Sequence, residues 1–435
     1  MPNPNVIRDE LEDCLAVKAR LEVIAATWHD VIVQGVDLTD VDDELASRSI
    51  HGCGFLGCTL GPKVARAVAA SQCNEDPTKR CLVFPALPNL PFNPYRGKLY
   101  SPVELLWDYA QTPNAKGYDE SVDWKSYLTF ADPKTTKPYR GDSIDVILAR
   151  RLHDTSIADA LDDMLEPIRI QKPGAKKGVV AIMGGHDLPR REKQPKSDDG
   201  HAVGDDDWEG MTDDTVYTRV ALLAWRLTNL GYLLVSGGGP GAMEAANLGA
   251  YFATRTVTEL RAAIKSLEIF PEFISGRSGE WLAPALQVMQ DFPLTDITRD
   301  ACTSVGIPTW FYGHEPPAPF ATHLAKYFEN SVREEGMLAI ATHGVIFADG
   351  NAGTVQEIFQ DACQNYYGTY GTAAPMILFG VDYWDPPTMP VYVNDKRKKA
   401  FPLLHKLAEE KGFTHRVLVT DSMREIVTTI TKYKP

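Results

Sequence analysis

From Gly178 onward the chain alternates short, wholly apolar runs with longer amphipathic ones. GVVAIMGG predicts a buried strand, and the periodicity of DTVYTRVALLAWRLTNLG predicts a helix that ends at Gly231. YLLVSGGG then reads as a second strand and GAMEAANLGAYFA as a second helix. Further on come GIPTWFYG, a helix over ATHLAKYFENSVREEGML, the strand GVIFADG, the helix TVQEIFQDACQNYY and the strand PMILFG. Strands that are apolar on both faces need cover on both faces. Their alternation with helices predicts an α/β fold, a Rossmann-like doubly wound parallel sheet with helices on either side.

The first 165 residues have a different texture. Gly52, Gly54, Gly57 and Gly61 punctuate one passage, and prolines at 85, 88, 91, 94 and 102 punctuate the next. Proline removes a backbone donor, so this stretch is expected to be extended and irregular. Its aromatic and aliphatic residues argue that it is packed. SIDVILARRLHDTSIADALDDML then reads as one or two helices. The pattern predicts an irregular α+β extension over residues 1–165 ahead of the α/β domain over 166–435. A charged, Gly-rich insertion within 192–210 is placed just after the first strand of that domain, where loops carry sites in such folds.

Composition narrows the function classes. With 58 acidic and 44 basic side chains in 435 residues, the net charge of −14 works against a nucleic-acid groove or an anionic membrane surface. No apolar run approaches the roughly 20 residues of a membrane span. MPNPNVIRDELEDCL lacks the apolar core of a signal peptide, so a cytoplasmic location is expected. The seven cysteines are odd in number, and Cys53 and Cys58 have no second matching pair. Reduced thiols and no metal site are expected.

The chemistry concentrates in two glycine turns. VSGGGPGAMEAANLGA, from Val235, closes a strand and opens a helix at the carboxyl edge of the sheet. Outward backbone N–H groups and the helix dipole suit a phosphate there, although a turn with no ligand fits equally. FADGNAGTVQEIF, from Phe347, repeats the layout, and two such loops at one edge make a shared crevice. The first turn contributes Gly237, Gly238, Gly239, Gly241, Met243 and Glu244. The second contributes Gly350, Asn351, Ala352, Gly353 and Thr354, with Gly184 and Gly185 following the first strand. Thr354 is positioned to cap its helix and offer a hydroxyl. Neither a GxGxxG fingerprint with its ribose-binding acid nor a GxxxxGK[ST] loop is present, which disfavours a dehydrogenase or a P-loop ATPase.

SGGGPGAMEAANLGA resembles the [ST]GGGPGxMEAA segment of the LOG (Lonely Guy) family of phosphoribohydrolases and their bacterial nucleotide nucleosidase relatives. GNAGTVQE resembles that family's PGGxGTxxE, and REEGM, with Arg333 and Met337, resembles its Arg-x-x-x-Met. The resemblance covers about residues 178–385 and leaves the N-terminal part unmatched. It implies hydrolysis of a nucleoside 5′-monophosphate to free base and ribose 5-phosphate, without metal or redox cofactor, by at least a homodimer. Glu357 and Arg333 match the catalytic positions. Asp349 and Asn351 stand where the family has Pro and Gly, and a carboxylate there repels phosphate unless it points away.

Other side chains carry two readings. Glu357 is either a solvated first-turn carboxylate or the group that faces ribose. Arg333 is either a surface partner of Glu329 or Glu334, or a guanidinium that holds phosphate or supports the departing base. Met243 reads as core packing, Glu244 either contacts ligand or caps a loop, and Gln356 offers a contact to the sugar. Arg190 or Arg191 substitutes for an arginine missing from the first loop. Asp361 reads as structural, His186 as a turn histidine or base contact, His314 as pocket wall and His343 as structural. The rival to an enzyme is a nucleotide sensor or carrier of the same fold that lost hydrolysis, favoured by Asp349 and Asn351.

Overall fold

The computed structural model describes residues 9–23, 25–87, 89–106, 117–129, 131–132, 143–191, 214–311, 315–390 and 394–435. The insertion expected at 192–210 falls wholly outside these residues, and so does His314. The chain divides into two compact units, Met1–Leu99 with Arg140–Met164, and Tyr100–Tyr139 with Leu165–Pro435. Residues 100–139 thus group with the second unit rather than with the N-terminal part.

The first unit corrects the expected irregular α+β extension. Its strands β1 (Glu10–Leu11), β2 (Ile32–Gln34), β3 (Gly54–Leu56) and β4 (Leu82–Phe84) form one parallel sheet in the order β1-β2-β3-β4. Helices α1 (Cys14–Glu22) and α2 (Pro62–Ser71) lie in the crossovers. Val17 and Leu21 of α1 and Val64 and Val68 of α2 pack with Val33 and Phe55 of the sheet. Parallel pairing demands such crossovers, so the logic is α/β here as well. A helix α3 (Ile144–Arg169) follows as one piece, its last five residues belonging to the second unit.

The second unit is the α/β fold that the apolar runs predict. Strands β5 (Val179–Met183), β6 (Leu233–Ser236), β7 (Ser304–Gly306), β8 (His323–Leu324), β9 (Gly344–Phe347), β10 (Met376–Phe379) and β11 (Val417–Thr420) form a seven-stranded sheet. Its order is β11-β10-β9-β5-β6-β7-β8, and every pair is parallel. Helices α4 (Val216–Asn229), α5 (Ala242–Tyr251), α6 (Asn330–Ala339), α7 (Ala352–Tyr367) and α8 (Met423–Lys432) cover it. Ile182, Leu234 and Ile346 of the sheet pack with Leu223 of α4, Leu248 of α5 and Ile426 of α8.

Strand order reverses between β5 and β9, since β6 and β7 run outward on one side and β10 and β11 on the other. Loops that leave neighbouring strands in opposite directions open a crevice at their carboxyl ends. Residues 184–187 and 349–351 flank that point.

The helix expected over 321–338 is half wrong. Its first part is β8 and an extended segment, and only Asn330–Ala339 is helical. Lys326 decides this locally: its buried ammonium donates to Asp123 Oδ1 at 2.5 Å, and Asp123 also accepts from Trp310 and Tyr118. Tertiary pairing overrides helical spacing here. Among the described residues no helix is long and apolar enough to cross a membrane.

Candidate functional site

At the switch point lies a cavity of about 480 Å³, within the usual range of roughly 300–1,000 Å³ for small-ligand sites. It is walled by Gly184, Gly185 and His186 after β5, Gly237, Gly239 and Met243 after β6, and Asn351 to Thr354 after β9. Arg333, Glu334, Gln356, Glu357 and Glu315 complete it. Both glycine turns therefore reach one crevice, but they do so differently.

The first turn is largely self-satisfied. The Gly238 N–H donates to Ser236 Oγ at 3.1 Å, and its carbonyl accepts from Ala318 at 2.7 Å. Gly238 has φ +68, and a Cβ there would lie 2.7 Å from Ile307 N. It faces the end of β7, not the crevice. Gly241 has φ +72, and its Cβ would strike the Gly185 carbonyl. The first helical amide, Ala242, donates to Gly185 at 3.1 Å. Gly238 and Gly241 are thus turn residues, which corrects their assignment to the ligand.

Glu244 is corrected as well. It is fully buried, accepts from Arg190 Nε at 2.7 Å and from Tyr217 at 3.0 Å, and does not wall the cavity. Arg190 also donates to the Trp281 carbonyl at 2.8 Å and lies over the Trp281 ring. A buried arginine so engaged has no face left for a ligand, and Arg191 is an exposed partner of Glu272. The pair instead ties the loop after β5 to α5 and the segment near Trp281.

The second turn is open. Asn351 caps α7 without a side-chain hydrogen bond to the helix, because its amide donates instead to Asp187 Oδ2 at 3.2 Å. The first turn of α7 therefore offers its amides to the crevice, and a Cβ at Gly353 would meet nothing within 4 Å. Thr354 is not the cap but the third residue of the helix, buried against Gly350. Gly350 itself does not wall the cavity, and its carbonyl accepts from Tyr383 at 2.6 Å. Asp349 points away: a Cβ at Gly380 would sit 3.2 Å from its Oδ1, and Arg219 is its chief countercharge. Burial pushes that carboxyl up to about 6. The ground for phosphate repulsion at Asp349 is removed.

Glu357 and Arg333 meet at the floor. Arg333 is buried, donates from Nε to the Ile307 carbonyl at 2.9 Å, and has Nη1 3.9 Å from Glu357 Oε1. Its Nη2 lies under Gly237, where a Cβ would come within 2.6 Å. Burial raises the Glu357 carboxyl to about 7, with Arg333 opposing and Glu334 adding to the shift. Such a group titrates near neutrality, as a catalytic acid or base does. Gln356 donates to Glu334 at 2.8 Å, so it orders the rim before it touches any sugar.

Glu315 is the residue that motif reading missed. It is about a quarter exposed, its Oε1 lies 3.7 Å from His186 Nδ1, and a Cβ on Gly239 would be 3.5 Å from its Oε2. Burial raises its pKa, with His186, Arg333 and Lys326 pulling the other way. The one available signal was the rigid Pro316-Pro317-Ala318-Pro319 tract that follows it.

Asp361, on the next turn of α7, lies behind the crevice in a separate cavity of about 90 Å³ with Thr342, Gln364 and Asn365. Among the described residues its buried Oδ2 has no hydrogen-bond partner, and burial pushes its pKa from 3.8 to about 8. The folded chain then holds a proton that the unfolded chain releases, so this stability is full below about pH 4 and is lost as pH rises toward 8. Asp361→Asn is expected to flatten the fall of the thermal midpoint between pH 5 and 9; a slope equal to wild type contradicts the assignment. His343 is buried between Tyr232 and Tyr433, away from the crevice.

Among the described residues, the side chains grouped closely enough to share a cation are Glu10, Glu12, Asp159 and Asp163 of the first unit. None of them belongs to the crevice. No protein-family model matches the chain, and no curated protein matches it either.

Proposed function

We propose that the second unit hydrolyses the N-glycosidic bond of a nucleoside 5′-monophosphate, giving free base and ribose 5-phosphate. The observation that carries this reading is the layout of α7. Its uncapped N-terminus and the buried Glu357 lie on one helix, three residues from Thr354, or about 4.5 Å along the axis. A phosphate bound at the amides of Ala352, Gly353 and Thr354 places the attached ribose over Glu357. The first turn, with the Gly238 and Ala242 amides engaged and Glu315 beside it, suits the sugar and base better than the anion.

In this arrangement Glu357 acts as its carboxylate, binding a ribose hydroxyl and orienting water toward C1′. Cleavage develops positive charge on the ribose, which the buried Glu357 carboxylate stabilises at close range. Arg333 holds the Glu357 carboxylate in place and is fixed in turn by Ile307. The rival, a nucleotide carrier without turnover, keeps only Asn351 as a departure in its favour.

Arg333→Ala is expected to weaken binding and turnover together, by about tenfold or more. Arg333→Lys is not expected to restore them, because a point charge cannot reach the Ile307 carbonyl, Glu357 and the underside of Gly237 at once. Steady-state kinetics on both variants check this, and full activity in the lysine variant reduces Arg333 to a source of positive field. Release of free base from nucleoside monophosphates by the wild-type chain tests the whole reading.

A further inference from the structure

Glu315 lies in the crevice with no part in the mechanism above. The chain around it is built to hold it still. Pro316, Pro317 and Pro319 restrict the backbone, and the Ala318 N–H between them donates to the Gly238 carbonyl at 2.7 Å. The carboxyl is thereby pinned beside Gly239, on the first turn, while Glu357 stands on the second. Arg333 stands 3.9 Å from Glu357, and its charge also acts on Glu315. A substrate anchored by phosphate at α7 and by ribose at Glu357 extends its base toward the first turn.

Resting on the hydrolytic reading of this site, we propose that Glu315 is a second catalytic residue, the general acid that protonates the departing nucleobase. In the step, the C1′–N bond breaks and its electron pair stays with the base. The Glu315 carboxyl proton passes to a ring nitrogen of the base, leaving a carboxylate. The oxygen of water bonds to C1′, and its proton passes to the Glu357 carboxylate. One water is consumed, the base leaves neutral, and the two carboxyl groups regain their starting states by proton exchange with solvent. Burial supports the role, because it favours the protonated acid that such a step needs. His186 Nδ1 lies 3.7 Å from the Glu315 carboxyl, which is about a quarter exposed and exchanges its proton with solvent directly.

The test compares two leaving groups in the full-length chain. A purine nucleoside 5′-monophosphate needs a proton on the base, whereas 4-nitrophenyl riboside 5-phosphate expels a phenolate that needs none. Glu315→Gln is nearly isosteric and keeps hydrogen bonding but cannot donate a proton. It is expected to lower kcat/KM for the nucleotide by at least about 10²-fold and that for the nitrophenyl compound by no more than about fivefold. Glu357→Gln is expected to lower both. Equal losses in Glu315→Gln, or no loss on the nucleotide, overturn the assignment while wild-type cleavage leaves the hydrolytic reading standing. Cleavage of neither compound by wild type overturns both. A thermal melt of Glu315→Gln matching wild type shows that the comparison is between folded enzymes.

Discussion

Glu357→Gln is expected to lower turnover of a nucleoside 5′-monophosphate by at least about 10²-fold while leaving the fold in place. The side chain keeps its length inside α7, and the amide retains hydrogen bonding toward Arg333. What is lost is the ability to ionise. Burial beside Glu334 has raised the carboxyl to about 7, with the Arg333 charge opposing it. A base must be deprotonated, so kcat/KM in the wild type is expected to rise as pH climbs through about 7. That limb should vanish in the variant. Because a raised pKa costs stability above it, the variant is also expected to melt no lower than wild type at pH 9. Wild-type turnover in Glu357→Gln removes the residue from the mechanism.

The second large effect is on folding. Gly238→Val is expected to lower the thermal midpoint by several degrees or to prevent folding altogether, rather than to block the ligand. The residue has φ +68, and its Cβ would press on Ile307 N and Pro308 Cδ at 2.7 Å and on Gly306 C at 2.9 Å. Left-handed strain costs about 1 kcal/mol or more, and overpacking against backbone adds about 1–3 kcal/mol. Gly353→Ala makes the opposite case, because its Cβ enters open space on the crevice side. That variant is expected to fold normally and to lose affinity for the monophosphate much more than for the phosphate-free nucleoside. The measurement is a melt and a pair of titrations on each variant. Selective ligand loss in Gly238→Val with an unchanged melt means that the first turn, not the second, holds the phosphate.

The parts of the fold that sequence patterning reads well are those where the pattern is long. β5, β6, β9 and β10 are runs of four or five wholly buried residues. The sheet of the first unit is invisible by the same criterion. Its strands have two or three residues, too short to show a period, although Ile32, Val33, Leu82, Val83 and Phe84 are apolar. The failed helix near Lys326 shows a different limit, since a pairing with Asp123 across 203 residues decides its conformation.

The site divides in the same way. Glycine turns at strand ends announce themselves by composition, and Glu357 and Arg333 by the motifs around them. The division of labour between the turns is a matter of where each N–H goes, and Ser236 and Gly185 are what engage the first one. Glu244 and Arg190 each looked available for a ligand because nothing local shows that they bind one another across 54 residues. Glu315 escaped notice because its role depends on Ala318 meeting Gly238, a contact between loops of different strands.

The most direct test of the central claim is an end-point assay on the full-length chain. It is incubated with a panel of purine and pyrimidine nucleoside 5′-monophosphates, and free base and ribose 5-phosphate are measured together. The account predicts equimolar release of the two from at least one nucleotide, abolished in Glu357→Gln and absent with the corresponding nucleoside. Saturable binding of a nucleotide with no base released, or release that persists in Glu357→Gln, contradicts it.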